Sequence, residues 1–346
     1  MRLLIYILII LSAVTFFVYK QESNLPLSPV SPPSTPLYKT ATSTPNNTAS
    51  TTSTPLSPIT PISPSLIKPK SQPVLDKKAI DLIQQKINET PPAPLPLISP
   101  IIPVLTPPPP RLSQQVLYDK AVSRVVNFFC EYNNGVETAS GVIISSNGYI
   151  LTNAHVAEAF VNQNYECKIR QGSPARNIGY AKIVMFPKAY TSSGGNSWEG
   201  HANDVSIWKF TRSANSDEPL PKEFSYYSID PNYTPKKDQP LATFSYPGEL
   251  LGYEILLKSL NMLFGETIVN DFNADFIASG MSLSSQSGSS GGILVDIYTN
   301  NFAGLIFGVT TDTSINQRKL FSLSPYAVNQ VVKNETGFNL VDFLNQ

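Results

Sequence analysis

The residues Gly288-Ser289-Ser290-Gly291-Gly292, followed by the apolar run Ile293-Leu294-Val295, have the clearest capacity for chemistry in this chain. A serine hydroxyl is a weak nucleophile at neutral pH, so acyl transfer needs a neighbouring base and backbone N–H groups aimed at the developing oxyanion. Flanking glycines permit a sharp turn and a close approach of substrate to backbone. By itself the pattern also reads as a Ser/Gly-rich surface turn, because Ser282, Ser284, Ser285 and Ser287 crowd the same loop. Two residues upstream could supply what the serine lacks. His155, in Thr152-Asn153-Ala154-His155-Val156, offers a base or a structural histidine, and Asp204, in Asn203-Asp204-Val205-Ser206-Ile207-Trp208, offers an orienting carboxylate or a turn former.

Strands must position these three. Residues 124–132 read as a first strand, and 141–151 as a hairpin turning at Asn147-Gly148, a strong short-range hairpin signal. Further β-rich runs cover 165–170, 180–185, 205–210, 241–245, 293–297, 302–310 and 319–323, with helical patterns at 117–122 and 325–332. Many short strands with turn signals and few helices predict an all-β barrel or sandwich. The chain has 25 basic and 25 acidic residues with no basic cluster, which excludes the electrostatic footprint of a nucleic-acid binder. Two cysteines, Cys130 and Cys167, form no C-x-x-C pair, and His201 lacks companion ligands, so neither a metal nor another cofactor is indicated.

The N-terminal third is built differently. Of 31 prolines, 22 lie between Gln21 and Arg111, whereas all 18 glycines follow residue 134. Leu3 to Tyr19 form an apolar run flanked by Arg2 and Lys20, and as a helix its 17 residues would span ~25 Å, the short end of a bilayer crossing. The expectation is a single-pass signal anchor over 1–20 that leaves the remainder extracytoplasmic, periplasmic or extracellular. A cleaved signal peptide is the rival reading. Residues 21–111 are Pro/Ser/Thr-rich and glycine-free, predicting a stiff, disordered linker with polyproline II stretches. Within it, 74–89 places Ile80, Ile83 and Ile87 at helical spacing. That island is expected as an isolated marginal helix, with docking onto the folded domain or another subunit as the alternative.

Chain order discriminates between known ways of building a serine site. Gly288-x-Ser290-x-Gly292 fits the local pattern of both the α/β-hydrolase elbow and the chymotrypsin-type loop, but only the latter runs His, Asp, Ser. Together with Ser140-Gly141-Val-Ile-Ile, Gly148-Tyr-Ile-Leu-Thr-Asn-Ala-His155-Val and Asn203-Asp204-Val-Ser-Ile-Trp-Lys, the chain resembles the trypsin-like serine peptidases, and within them the HtrA/Deg-type branch. The resemblance covers residues 112–346 and implies two six-stranded antiparallel β-barrels with a C-terminal helix. It also implies Ser290 as nucleophile, His155 as general base, Asp204 as its orienting carboxylate, and the N–H groups of Gly288 and Ser290 as oxyanion hole. Phe307-Gly308-Val309-Thr310 resembles the edge that pairs with substrate, which suits extended or unfolded protein chains.

Departures accompany the resemblance. Ser289 precedes the nucleophile where a carboxylate would serve zymogen activation, no Ile-Val-Gly-Gly segment lies upstream, and Ile293 stands where proline is usual. The 56 residues after Ser290 are used up by the last strands and helix, so a PDZ domain is not expected. Ser284, six positions before the nucleophile, corresponds to the base of the P1 pocket and favours small or medium apolar P1 residues. Cys130 and Cys167 fall on neighbouring strands of the implied first barrel, either as a disulfide or as two buried thiols. The implied activity is a membrane-anchored endopeptidase for envelope quality control or processing, with room for a homo-oligomer. A catalytically silent scaffold that binds extended peptides on the same barrels is the alternative.

Overall fold

The computed structural model describes residues 74–75, 77–89, 109–132, 135–163, 165–195, 197–248, 260–286, 288–310 and 318–346. The expected anchor over 1–20 and most of the proline-rich linker lie outside these residues. Among the described residues no helix is long and apolar enough to cross a membrane.

The first elements are a two-residue strand, β1 (Val74–Leu75), and helix α1 (Lys77–Glu89). Ala79, Ile83 and Ile87 are buried at helical spacing on one face, while Lys77, Lys78, Asp81, Lys86 and Glu89 stay in solvent. The helix is therefore docked, not isolated. Its buried residues join the apolar cluster that contains Phe276, Phe307 and Phe321, and Gln84 Nε2 donates to Asp271 Oδ2 at 3.1 Å. A short helix gains little from its own hydrogen bonds in water, so this tertiary face supplies what stabilises it.

Helix α2 (Gln114–Val122) begins where Ser113 Oγ accepts the Val116 N–H, and it buries Leu117 and Ala121. It leads into the first barrel. β2 (Val125–Tyr132), β3 (Gly135–Ile143), β4 (Tyr149–Thr152), β5 (Cys167–Gly172), β6 (Ala175–Met185) and β7 (Ser206–Ser213) close in the order β2-β3-β4-β7-β6-β5, every pairing antiparallel. Three short helices sit in its connections: α3 (Ala154–Ala157), α4 (Lys188–Ser193) and α5 (Trp198–Ala202). β-Branched and aromatic residues fill the interior, with Phe128 against Trp208 at 5.1 Å between ring centroids and Phe160 against Trp208 at 6.5 Å. Cys130 and Cys167 are joined as a disulfide across β2 and β5, which resolves the alternative left by the sequence.

The second barrel consists of β8 (Pro240–Ser245), β9 (Leu263–Phe272), β10 (Phe276–Ser279), β11 (Ile293–Asp296), β12 (Phe302–Thr310) and β13 (Leu320–Leu323). Its strands run β12-β11-β8-β9-β10-β13, and β13 returns to β12 to close the ring. β9 and β10 were not among the strands predicted from periodicity. The inward residues of β9 are Gly265, Thr267 and Val269, while Ile268 faces solvent at 52% exposure, so the apolar alternation is nearly erased. Helix α6 (Pro325–Thr336) follows, capped by Ser324 and ended by Gly337 in the left-handed conformation, and α7 (Leu340–Leu344) ends the fold. Two closed six-stranded antiparallel barrels with a C-terminal helical segment agree with the expected class.

Outside that second ring, β1 pairs with β12 in parallel, Val74 opposite Val309 and Leu75 opposite Thr310. β11 covers the β12 edge only as far as Leu305, so β1 occupies the stretch that β11 leaves.

Candidate active site

The histidine and aspartate come from the first barrel. β4 runs into the single turn of α3, with Asn153 in extended conformation at its start, and this projects His155 from the barrel rim. α5 ends at Asn203, and the chain then enters β7 through Asp204. The Asp204 carboxylate holds His155 twice: Oδ1 accepts the His155 backbone N–H at 2.9 Å, and Oδ2 lies 2.7 Å from Nδ1. A buried carboxylate needs such partners, and the Asp204 side chain is only 2% exposed. Its own position is fixed from behind. Asn153 Nδ2 donates to the Asp204 carbonyl at 2.9 Å, Ser206 Oγ donates to the Asn153 carbonyl at 2.8 Å, and Trp208 Nε1 donates to Ser206 Oγ at 3.3 Å. Tyr190 lies close by, and its phenol is pushed well above the usual range, first by burial and then by the negative charges of Asp204 and Glu158.

The serine comes from the second barrel, on the turn that enters β11. His155 Nε2 is 2.7 Å from Ser290 Oγ, which completes a continuous path from carboxylate through imidazole to hydroxyl. The glycines around Ser290 have specific tasks. Gly288 (φ 92°) and Gly291 (φ 79°) both take left-handed conformations. A side chain on Gly291 would collide with the Ser140 carbonyl and Thr152 Oγ1, whereas one on Gly288 would meet the backbone of Gly248 and Tyr246. Bare backbone is what allows the turn to lie against β3. Ser140 then ties the barrels together: its N–H donates to the Ser290 carbonyl at 2.8 Å, its Oγ donates to the Gly288 carbonyl at 2.9 Å, and that Oγ accepts the Tyr246 N–H at 2.9 Å.

The structure thus brings His155, Asp204, Ser290 and Gly288 to one point between the barrels. Among the described residues no acceptor takes the Gly288 N–H. Ser284 is fully buried, with its Oγ accepting from Ser245 Oγ at 2.9 Å, and Ser245 Oγ is 3.1 Å from Ser289 Oγ. Phe307, Gly308, Val309 and Thr310 line the β12 edge leading from the serine turn. Phe307 is 1% exposed, with its ring in the core. His201 is buried on α5 and stacks on Phe307 at 5.7 Å between centroids. Among the described residues no group of three or more His, Cys, Asp or Glu could hold a metal ion.

Asn153 and Ser206, which clamp Asp204, and Ser140, which ties the barrels, carry no local signal of these tasks. Each lay inside a quoted motif, but the partner that gives it a task is 51, 53 or 148 positions away.

A double antiparallel barrel with Asp, His and Ser in hydrogen-bonded sequence between its halves defines the class of the chymotrypsin-fold proteins. Residues 139–305 match the family described as "Trypsin-like peptidase domain". Solved structures with similarity include the apo MamO protease domain from Magnetospirillum magneticum, at 17% identity and TM-score 0.41, covering 63% of this chain and 97% of that one. A serine endoprotease from Yersinia pestis is similar at 20% identity and TM-score 0.45, covering 64% of this chain and 66% of that one. No curated protein sequence matches the chain.

Proposed function

We propose that this protein is a serine endopeptidase of HtrA/Deg-like type, held to a membrane by residues 1–20 through the 21–111 linker, with residues 112–346 as its exported peptidase domain. The reading rests above all on the unbroken Asp204–His155–Ser290 path, both links 2.7 Å long. In it, His155 Nε2 takes the Ser290 proton as Oγ attacks a peptide carbonyl, then delivers that proton to the leaving amine. Asp204 keeps Nδ1 protonated and stabilises the imidazolium. The N–H groups of Gly288 and Ser290 receive the oxyanion, each donor contributing roughly 10² to 10³ in rate. Substrates are extended or unfolded chains that pair with Phe307 to Thr310 as an added strand, with Ser284 beneath the P1 side chain. The Cys130–Cys167 disulfide favours an oxidising, extracytoplasmic setting.

The test is reaction of the full chain with a small fluorophosphonate. Labelling that disappears in Ser290→Ala supports the peptidase; absence of labelling in the wild type favours a scaffold that only binds peptides.

A further inference from the structure

The β12 edge beside Ser290 already holds a strand, and that strand belongs to the chain itself. Gly291 N–H donates to the Ile306 carbonyl and Ile306 N–H to the Gly292 carbonyl, so this edge of β12 starts at the serine turn and continues through residues 307–310. The opposite edge is taken by β13, to which Thr310 N–H donates through the Lys319 carbonyl at 3.0 Å. By strand alternation, the peptide groups of Val309 face the serine-side edge, and Val74 sits opposite Val309 there.

The sense of that pairing matters. A cleavable substrate must turn its leaving nitrogen toward His155 Nε2, so its acyl half lies along β12 and runs toward Ser290. Because β12 itself runs away from Ser290, a productive substrate is antiparallel to it. β1 is parallel. It takes the same edge but offers its amides in reverse polarity, so it is held and not cut.

The seat is built for this segment. Leu75 is 2% exposed and packs over Gly308, where an added Cβ would come within 3.1 Å of its Cδ1. α1 continues the contact by burying Ala79, Ile83 and Ile87 and by packing on α5, the helix that leads to Asp204. Thirteen residues make a helix that is marginal once released into water, so undocking is a local unfolding event.

We propose that β1 and α1 form an internal, displaceable occupant of the substrate edge, and that substrate peptides compete with Val74–Leu75 for β12. The proposal rests on the peptidase reading for its cleavage consequence, whereas the docking itself does not. In the full chain, Leu75→Asp, and separately Ile83→Asp, weaken the seat. Fluorophosphonate reacts with Ser290 without strand pairing, so its rate should change by less than about twofold. For an extended fluorogenic peptide, kcat/KM should rise by about tenfold or more, because the competent fraction grows. Unchanged or lower kcat/KM with normal labelling overturns the proposal.

A second measurement avoids catalysis. A fluorescein-labelled peptide of residues 71–90 should bind full-length Ser290→Ala about tenfold more tightly when Leu75→Asp is also present. Equal affinity overturns the occupant idea even where fluorophosphonate labels nothing and the peptidase reading itself fails. Variants that do not fold are bypassed by hydrogen exchange on the wild type. Amides of 74–89 should exchange about a hundredfold faster than those of β11, through a separate opening. Exchange together with β11 makes the segment part of the fold and overturns the proposal.

Discussion

The two barrels have the same strand number and sense but hold their share of the site by different means. The first holds its half of the site with its own residues, although its outer strand faces, Val142, Leu151 and Ile207 among them, share one apolar cluster with the second. Its ring closes on itself, a disulfide crosses it, and its Phe128, Phe160 and Trp208 core is distinct from the larger apolar cluster. Its Asp204–His155 pair is clamped by Asn153 and Ser206, all from the same barrel. The second depends on others. Its serine turn is held by Ser140 of the first barrel, and its β12 edge is covered by β1 and α1 from the N-terminal side. The acid–base pair is therefore preset, whereas the nucleophile and the peptide edge rest on contacts that can be made or broken.

The largest expected effect lies in the preset half. Asp204→Asn removes the carboxylate that fixes the His155 tautomer, and the turnover of a peptide substrate should fall by roughly 10⁴. A loss below tenfold would mean that another group orients His155. Next comes the disulfide, which closes a loop of 37 residues. Replacing Cys130 and Cys167 by serine should lower unfolding free energy by about 4 kcal/mol, measured in urea. The contrast between barrels sharpens if exchange protection falls in β2 and β5 and holds in β11. Ser140→Ala tests the dependence of the second barrel on the first. It leaves the buried Gly288 carbonyl and Tyr246 N–H without their partner, a cost of about 1–3 kcal/mol for each such group, and fluorophosphonate labelling should slow by about tenfold or more.

The smallest effect is electrostatic. Asp275, between β9 and β10, has its carboxyl pushed up by burial. A carboxyl raised in the fold contributes stability while protonated and loses it as pH rises through its folded pKa. Asp275→Asn should therefore raise Tm by a degree or so at neutral pH and leave it nearly unchanged near pH 3; a drop at both would assign the carboxylate a structural partner.

The part legible in the sequence is the part carried by local patterns. Ser290, His155 and Asp204 stood in short motifs whose order selected the double barrel, and the Asn147-Gly148 turn marked the hairpin that leads to His155. What escaped depends on distance. β9 turns Gly265, Thr267 and Val269 inward, so its period carried almost no apolar signal. The stripe of Ile83 and Ile87 announced an amphipathic helix, yet nothing in those residues names the surface they cover. The cysteine pair likewise depended on the register of β2 against β5, which no spacing along the chain encodes.

The central claim is that one hydroxyl in a loop crowded with serines is set apart by its imidazole. Tandem mass spectrometry of the fluorophosphonate-treated full chain tests it most directly. The predicted result is a single adduct on Ser290, absent from Ser282, Ser284, Ser285 and Ser289 and lost in His155→Ala. An adduct on another serine of the loop, or equal labelling without His155, would contradict it.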